Sequence, residues 1–343
     1  MTPRRADRNG LRTRKRAFMS SVKRLILFAD SNVASSMTML VASLRTARAR
    51  DDVDVLAIVD TARWPPLKLI RPRRIATAAT RELLNLTTDA APSTPPLSRT
   101  LASVARRERV PLLAPRERGV NDAAFVAQVR QLEPDATVAL MVEQIFRDEL
   151  LAACRLPINY HNGLLPDYQG VAATAWSIYE QAPRSGFTFH RMVQEVDRGP
   201  VILQGSLPVA DGDRLARVER AKTDLASSQL GALFDLLANG GADPTQPDGA
   251  GSRFTRADLR AISTVSVPAE LTLDELERRL RAFECIELVL LGRSWSTTAL
   301  RPARSGGASE RLAFTTADGV RVRPSRLEHL PPLVHRALRS GLA

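Results

Sequence analysis

Two short segments hold most of the residue types that can do chemistry. In Ile158–Gly170 (INYHNGLLPDYQG), Asn159 and His161 stand two residues apart. Side chains alternate along an extended strand, so both leave the same face. Gly163, Pro166 and Gly170 then set a tight loop with fixed backbone. In Glu195–Gln204 (EVDRGPVILQ), Asp197 precedes an Arg198-Gly199-Pro200 turn into an apolar run. An amide, an imidazole and a carboxylate at such positions make an acyl-transfer site. The Asn amide and a His N–H donate to a developing oxyanion, while the Asp orients the imidazole and helps remove a proton. The chain has four histidines, and His161 and His190 both fall in this region. No Ser, Cys or Thr sits in a nucleophile elbow, which favours direct attack by a bound amine over a covalent acyl-enzyme. Spacing alone does not decide the matter, because a histidine near an aspartate in sequence is commonly a satisfied structural group. For His190 that structural hydrogen bond stands level with a role at the site.

The elements that must position these residues follow an α/β rhythm. Lys23–Ala29 (KRLILFA) suits a buried parallel strand, Ser36–Arg48 has helical spacing, and Val53–Val59 reads as a second strand. This βαβ unit predicts a right-handed crossover in a mostly parallel sheet. The turn after the first strand, Asp30–Ser35, has no glycine, which disfavours NAD and FAD. Residues 60–100 read as an irregular surface excursion around a helix near Ala76–Leu86. Pro111–Ala114, Ala136–Val142, Ile158–His161, Phe187–Val193 and Val201–Val209 are predicted strands. Asp122–Leu132 and Glu149–Cys154 are predicted helices, with Cys154 in the core, and Asp213–Leu237 is predicted as one long amphipathic helix. In an open α/β sheet ligands bind at the carboxyl ends of strands, where Asn159 and His161 fall.

Gly240–Gly251 (GGADPTQPDGAG) reads as a linker. Beyond it, Thr272–Arg281 has a capping pattern. Ile286–Leu291, Thr297–Leu300, Leu312–Thr316 and Val320–Arg323 predict a small β unit, with Asp318-Gly319 as a hairpin turn. A helix is expected at Pro332–Leu338. The expected organisation is a basic tail at 1–18, a catalytic domain at 19–239, a linker at 240–256 and a small C-terminal domain at 257–343.

The 343 residues are 44% hydrophobic and 25% charged, which excludes collagen-like, mucin-like and wholly disordered classes. No apolar run approaches the roughly 18–20 residues that span a bilayer, so neither a membrane partner nor a signal peptide is expected. Two cysteines, Cys154 and Cys285, make neither a disulfide framework nor a zinc site on their own. No metal is expected, and the compartment reads as a reducing cytoplasm. The net charge of +12 invites a nucleic-acid reading, yet half of it lies in residues 1–18, where seven Arg and Lys face Asp7 alone. That tail reads as a disordered arm, or as the product of a start upstream of Met19. Arg71–Arg74 and Arg106–Arg109 are further basic patches.

The two chemistry-bearing segments resemble the signature of the 10-formyltetrahydrofolate-dependent formyltransferases. That group includes the glycinamide ribonucleotide, methionyl-tRNA and sugar-amine enzymes and the formylating domains of peptide synthetases. Their shared pattern is Asn-x-His, a Leu-Leu-Pro-x-Tyr-x-Gly loop, and Asp-x-Gly some tens of residues later. Asn159, His161, Leu164–Gly170 and Asp197-Arg198-Gly199 match it position by position. The resemblance spans roughly residues 20–237, and Thr272–Phe283 is similar to the start of the C-terminal domain of longer members. It implies an α/β, Rossmann-like, mostly parallel sheet with a smaller C-terminal β-rich domain, and 10-formyltetrahydrofolate as co-substrate. It also implies that Asn159 and His161 stabilise the oxyanion. Asp197 then positions a protonated His161 and assists proton removal through water. Val138–Ile145 is similar to the strand and loop that line the folate pocket, which makes Met141, Val142, Glu143 and Ile145, with Val196, the co-substrate candidates. Gly170, Trp176 and His190 are the acceptor-side candidates, although Trp176 and Phe189 read more simply as core.

Three departures narrow the substrate. Many relatives have Pro directly after the His, where this chain has Asn162. The glycinamide ribonucleotide enzymes hold a phosphate on a Gly-rich first loop that Asp30–Ser35 lacks. The methionyl-tRNA enzymes usually carry Arg-Gly-Ala-Ala-Pro where this chain has Gln169-Gly170-Val171-Ala172-Ala173. The leading expectation is an N-formyltransferase acting on the amine of a small or carrier-bound biosynthetic intermediate: an amino acid, hydroxyornithine, aminoacyl carrier or amino sugar. A methionyl-tRNA formyltransferase with tRNA as partner ranks second, and a non-catalytic folate- or partner-binding module third. The acceptor and the oligomeric state are left open by the sequence.

Overall fold

The run Leu25–Ala29 is wholly buried, as a strand covered on both faces must be. In the computed structural model the described residues are 23–62, 101–115, 119–239, 245–267, 270–290, 292–303 and 312–324. The basic tail, the patch Arg71–Arg74, the expected helix at Ala76–Leu86 and that at Pro332–Leu338 lie outside them.

The N-terminal half is built from β1 (Lys23–Ala29), α1 (Ala34–Arg48), β2 (Val53–Asp60), α2 (Leu101–Glu108), β3 (Leu112–Leu113), α3 (Ala123–Leu132), β4 (Ala136–Leu140), α4 (Asp148–Ala152) and β5 (Leu156–His161). It continues through β6 (Gln169–Gly170), α5 (Ala173–Tyr179), β7 (Arg184–Arg191), β8 (Val201–Pro208), α6 (Leu215–Ser228) and α7 (Leu230–Ala238). Seven strands form one sheet in the order β3-β2-β1-β4-β5-β7-β8. The five from β3 to β5 run parallel, and β7 and β8 close the edge antiparallel. Alternation along β1 sorts the core into two layers. Leu25, Leu27 and Ala29 pack with Leu40 of α1 and Phe234 of α7, while Ile26 and Phe28 pack with Phe125 of α3 and Leu150 of α4. Cys154 is buried in the second layer. The strand order reverses direction at β1, so the crevice lies at the carboxyl ends of β1, β4 and β5.

The expected helix Asp213–Leu237 is two helices. Its interior carries Ser227-Ser228-Gln229, and Ser228 Oγ donates to the Leu225 carbonyl at 2.7 Å, a local bond that competes with the helical ladder. Asp122 caps α3 by accepting from the Ala124 and Phe125 amides at 3.1 and 3.4 Å. The strand expected to reach Val142 ends at Leu140, because Met141 adopts a φ of 57°.

The C-terminal half comprises β9 (Arg253–Phe254), α8 (Arg256–Ser263), β10 (Thr264–Ser266), α9 (Leu273–Phe283), β11 (Ile286–Leu290), β12 (Arg293–Thr297), β13 (Leu300–Pro302), β14 (Phe314–Thr315) and β15 (Arg321–Pro324). Two three-stranded sheets, β10-β11-β12 and β13-β15-β14, enclose a core of Leu276, Leu280, Ile286, Leu288 and Phe314. The single strand expected at Thr297–Leu300 is the junction of β12 and β13. There Thr297 Oγ1 donates to the Ala299 carbonyl at 2.8 Å and bends the chain. The predicted turn at Gly319, with φ 80°, joins β14 to β15. Between the halves, β9 pairs parallel with β6. Phe254 stacks on Trp176 with ring centroids 4.1 Å apart, and Phe283 meets the same indole edge-on at 5.4 Å. No helix among the described residues is long and apolar enough to cross a membrane.

Candidate active site

Sheet register builds the site. β5 and β7 align Asn159 with His190 and His161 with Thr188. Directly opposed residues on one face lie within side-chain reach. The Asn159 amide nitrogen stands 3.2 Å from His190 Nε2. That nitrogen is always a donor, so Nε2 accepts, and the His190 proton sits on Nδ1, donating to the Arg191 carbonyl at 3.1 Å. His161 Nε2 donates to the Tyr168 carbonyl at 2.8 Å, which turns Nδ1 toward Asp197 Oδ2 at 3.4 Å. The other carboxylate oxygen, Asp197 Oδ1, lies 3.5 Å from His190 Nε2. The sheet and the following loop thus bring together all three residues expected to be catalytic, and they add His190.

Loop geometry delivers the aspartate. Asp197 adopts the left-handed region at φ 59°. A Cβ on Gly199 would run into the Arg191 carbonyl, so only glycine lets this turn close on the end of β7. Gly170, at φ 90°, aims its amide at Asp197 Oδ2 over 2.9 Å, and Phe254 O leaves no room for a Cβ there. The Gly163–Leu165 turn is fastened by Thr188. Its hydroxyl donates to Gly163 O at 2.8 Å and accepts from the Leu165 amide at 3.1 Å and from Gln204 Nε2 at 2.9 Å.

Three of the four groups are buried, His161, His190 and Asp197 being 6%, 2% and 8% exposed, and Asn159 is half-buried. Burial works to raise the Asp197 carboxyl, but the His161 ring and the Gly170 amide outweigh it and hold it at about 2. Burial dominates at His161 and pushes its imidazole below the ordinary value, with Asp197 pulling the other way. The protonation that the carboxylate neighbour would favour is thus opposed by burial, and the Tyr168 carbonyl places a ring proton on Nε2.

The expected co-substrate residues lie on the segment after β4. Met141 and Val142 are half-buried against the two core layers, Glu143 is exposed, and Val196 is half-buried next to Asp197. Ile145 is 63% exposed, a large apolar side chain left open to solvent. Its backbone is fixed: Asn121 Nδ2 donates to Ile145 O at 2.8 Å, and Gln144 Nε2 donates to Thr61 O at 2.6 Å. Of the acceptor-side candidates, Gly170 and His190 sit at Asp197, while Trp176 is 6% exposed and packed among aromatics, as its simpler reading holds. Sequence reasoning missed Thr188 and Gln204, whose roles follow only from strand register, and the Tyr168 carbonyl, which no residue type announces.

At the carboxyl ends of the parallel strands, an amide, two imidazoles and a carboxylate form a group chemically able to serve acyl transfer. Residues 84–232 match the formyl transferase family model. Solved structures share the fold. A 4-N formyltransferase from Francisella tularensis is 17% identical with a TM-score of 0.56, over 81% of this chain and 97% of that one. A sugar N-formyltransferase from Shewanella sp. is 18% identical with a TM-score of 0.53, over 80% and 95%. An N-formyltransferase from Helicobacter canadensis, in complex with folinic acid and dTDP-3-aminofucose, is 14% identical with a TM-score of 0.53, over 90% and 100%.

Proposed function

We propose that this protein transfers a formyl group from 10-formyltetrahydrofolate to the amine of a small or carrier-bound biosynthetic intermediate, amino sugars included. The observation that carries the reading is the meeting of Asn159, His161, His190 and Asp197 beside the pinned loop Met141–Ile145. That loop suits a flat apolar ligand, because Ile145 is exposed on a backbone that hydrogen bonds hold still. Met141, Val142, Glu143, Ile145 and Val196 would hold the folate. When bound, it supplies an activated formyl group on its N10 nitrogen.

The chain's own groups then divide the work. Asn159 gives one amide proton to His190, which fixes the amide plane and leaves the second proton for the formyl oxygen as negative charge grows there. Neutral His161, whose Nε2–H is held by Tyr168 O and so is not free for the oxyanion expected of it, takes the proton of the attacking amine at Nδ1, by way of water. The resulting imidazolium is neutralised by Asp197, 3.4 Å away. His161 returns that proton to the departing donor nitrogen as the new C–N bond is completed. Low exposure of His161, His190 and Asp197 limits hydrolysis of the donor. The Helicobacter canadensis protein, by its bound sugar nucleotide, supports amino sugars among the acceptors to be tried. The test is release of tetrahydrofolate from 10-formyltetrahydrofolate with amino sugars, amino acids, hydroxyornithine, aminoacyl carriers and initiator tRNA offered in turn. Amine-dependent release supports the reading; no release with any of them refutes it.

A further inference from the structure

The reaction above makes no use of Asn162, the residue that stands where many relatives have proline, yet three side chains converge on it. Lys222 of α6 has no exposed surface and donates from Nζ to the Asn162 carbonyl at 2.8 Å and to Thr174 Oγ1 at 2.6 Å. Glu219, about one turn earlier on the same helix, accepts from Asn162 Nδ2 at 3.2 Å. Tyr160 donates its hydroxyl to Asn162 Oδ1 at 3.4 Å. A fully buried lysine is among the rarest placements in a folded protein and carries a large desolvation cost, and a methionine or leucine would fill the same volume. Burial pushes the Lys222 ammonium down and the Glu219 carboxyl up, with each partner opposing the other's shift. What the ammonium does that an apolar side chain cannot is donate two hydrogen bonds at once. One goes to the residue after His161 and the other to the first turn of α5, just beyond the Gly170 amide that holds Asp197.

We propose that Lys222, paired with Glu219, is a positioning residue: it fixes the backbone after His161 against the start of α5, and so sets the His161 ring against Tyr168 O and Asp197. The proposal rests on the formyl-transfer reading for its kinetic consequence, but its structural consequence is independent of it. A proline ring stiffens a turn covalently; here the turn is stiffened by hydrogen bonds from a neighbouring helix.

The experiment compares Lys222→Met, the double variant Glu219→Gln/Lys222→Met, and the unaltered protein. Three readouts are needed: melting temperature, kcat and KM for the formyl donor, and the ¹⁵N NMR shifts of the His161 ring. Lys222→Met leaves Glu219 buried without its cation, so its melting temperature falls. The double variant removes that charge while keeping the Glu219–Asn162 type of contact, and is expected to recover most of the melting temperature. Its kcat is expected to stay about 10- to 100-fold low with KM within about twofold, because the ring is displaced and not the binding surface. Its His161 ring shifts are expected to move away from the Nε2–H pattern held by Tyr168 O. A double variant with unaltered kcat and unaltered ring shifts overturns the proposal and leaves Lys222 a purely structural residue. If the unaltered protein transfers formyl to no amine, the functional reading fails by itself, and the ring shifts decide the positioning: moved shifts support it and unmoved shifts overturn it.

Discussion

Asp197 lies between two imidazoles, and its position sets how the site responds to pH. In the proposed mechanism the working form has Asp197 ionised and His161 neutral. Because burial holds His161 below its ordinary value of 6.5, kcat/KM is expected to rise with pH through a value under 6.5 and to be flat above it. Asp197→Asn removes the upward pull on His161, so an NMR titration of that ring in the variant should give a lower pKa than in the unaltered protein. Stability follows the same direction. Both groups bind fewer protons folded than unfolded, so their contribution is present above the unfolded values and lost as pH falls. For His161 the loss begins at about 6.5, and for Asp197 it falls between 3.8 and about 2. Asn159→Ala removes the donor proposed for the formyl oxygen and should lower turnover by ~10²–10³, about 2.7–4 kcal/mol, in steady-state assays. That Asn159, His161 and Asp197 come together was expected from the family resemblance of their two segments and not from spacing alone. That His190 orients Asn159 was not, since the contact exists only through the β5–β7 register.

At the scale of elements, the loop Gly163–Gly170 is held from two sides, by Thr188 on β7 and by β9 alongside β6. Thr188→Val leaves the buried Gly163 carbonyl and Leu165 amide without that partner. It should cost about 1–3 kcal/mol in thermal or urea denaturation and lower kcat more than it raises KM. Trp176→Ala is expected to cost about 3–5 kcal/mol by opening a cavity beneath Phe254 and Phe283, with KM for the acceptor little changed. A large rise in acceptor KM with intact stability would return Trp176 to the substrate side. The parallel strands β1, β2 and β4 were readable because buried strands are continuous apolar runs. The break at Gln229 was not, because the apolar stripe of Asp213–Leu237 continues through it and only Ser227-Ser228 signals the interruption. The short strand β9 carries no periodicity of its own and forms only by pairing with β6.

Among the described residues, two arginine clusters lie apart from the candidate site. Arg45 and Arg48 end α1, and Arg106 and Arg107 end α2, so these exposed arginines lie toward the amino ends of the parallel strands, away from the site. Deleting residues 1–18, which carry half of the net +12, should leave kcat and KM unchanged. Activity should also vary little with salt; a steep loss between 50 and 200 mM salt would instead favour a tRNA acceptor. The α/β class was legible from the rhythm of apolar runs, and the smaller β-rich C-terminal part from its turn residues. The way Phe254 and Phe283 seal against Trp176 was not, since nothing local in either segment names the other as its partner. The most direct test of the account measures amine-dependent release of tetrahydrofolate from 10-formyltetrahydrofolate, for the unaltered protein and for Asp197→Ala. Release that depends on an amine and falls at least about 100-fold in the variant is the predicted result. A variant that keeps most of the activity would contradict the assignment of this site.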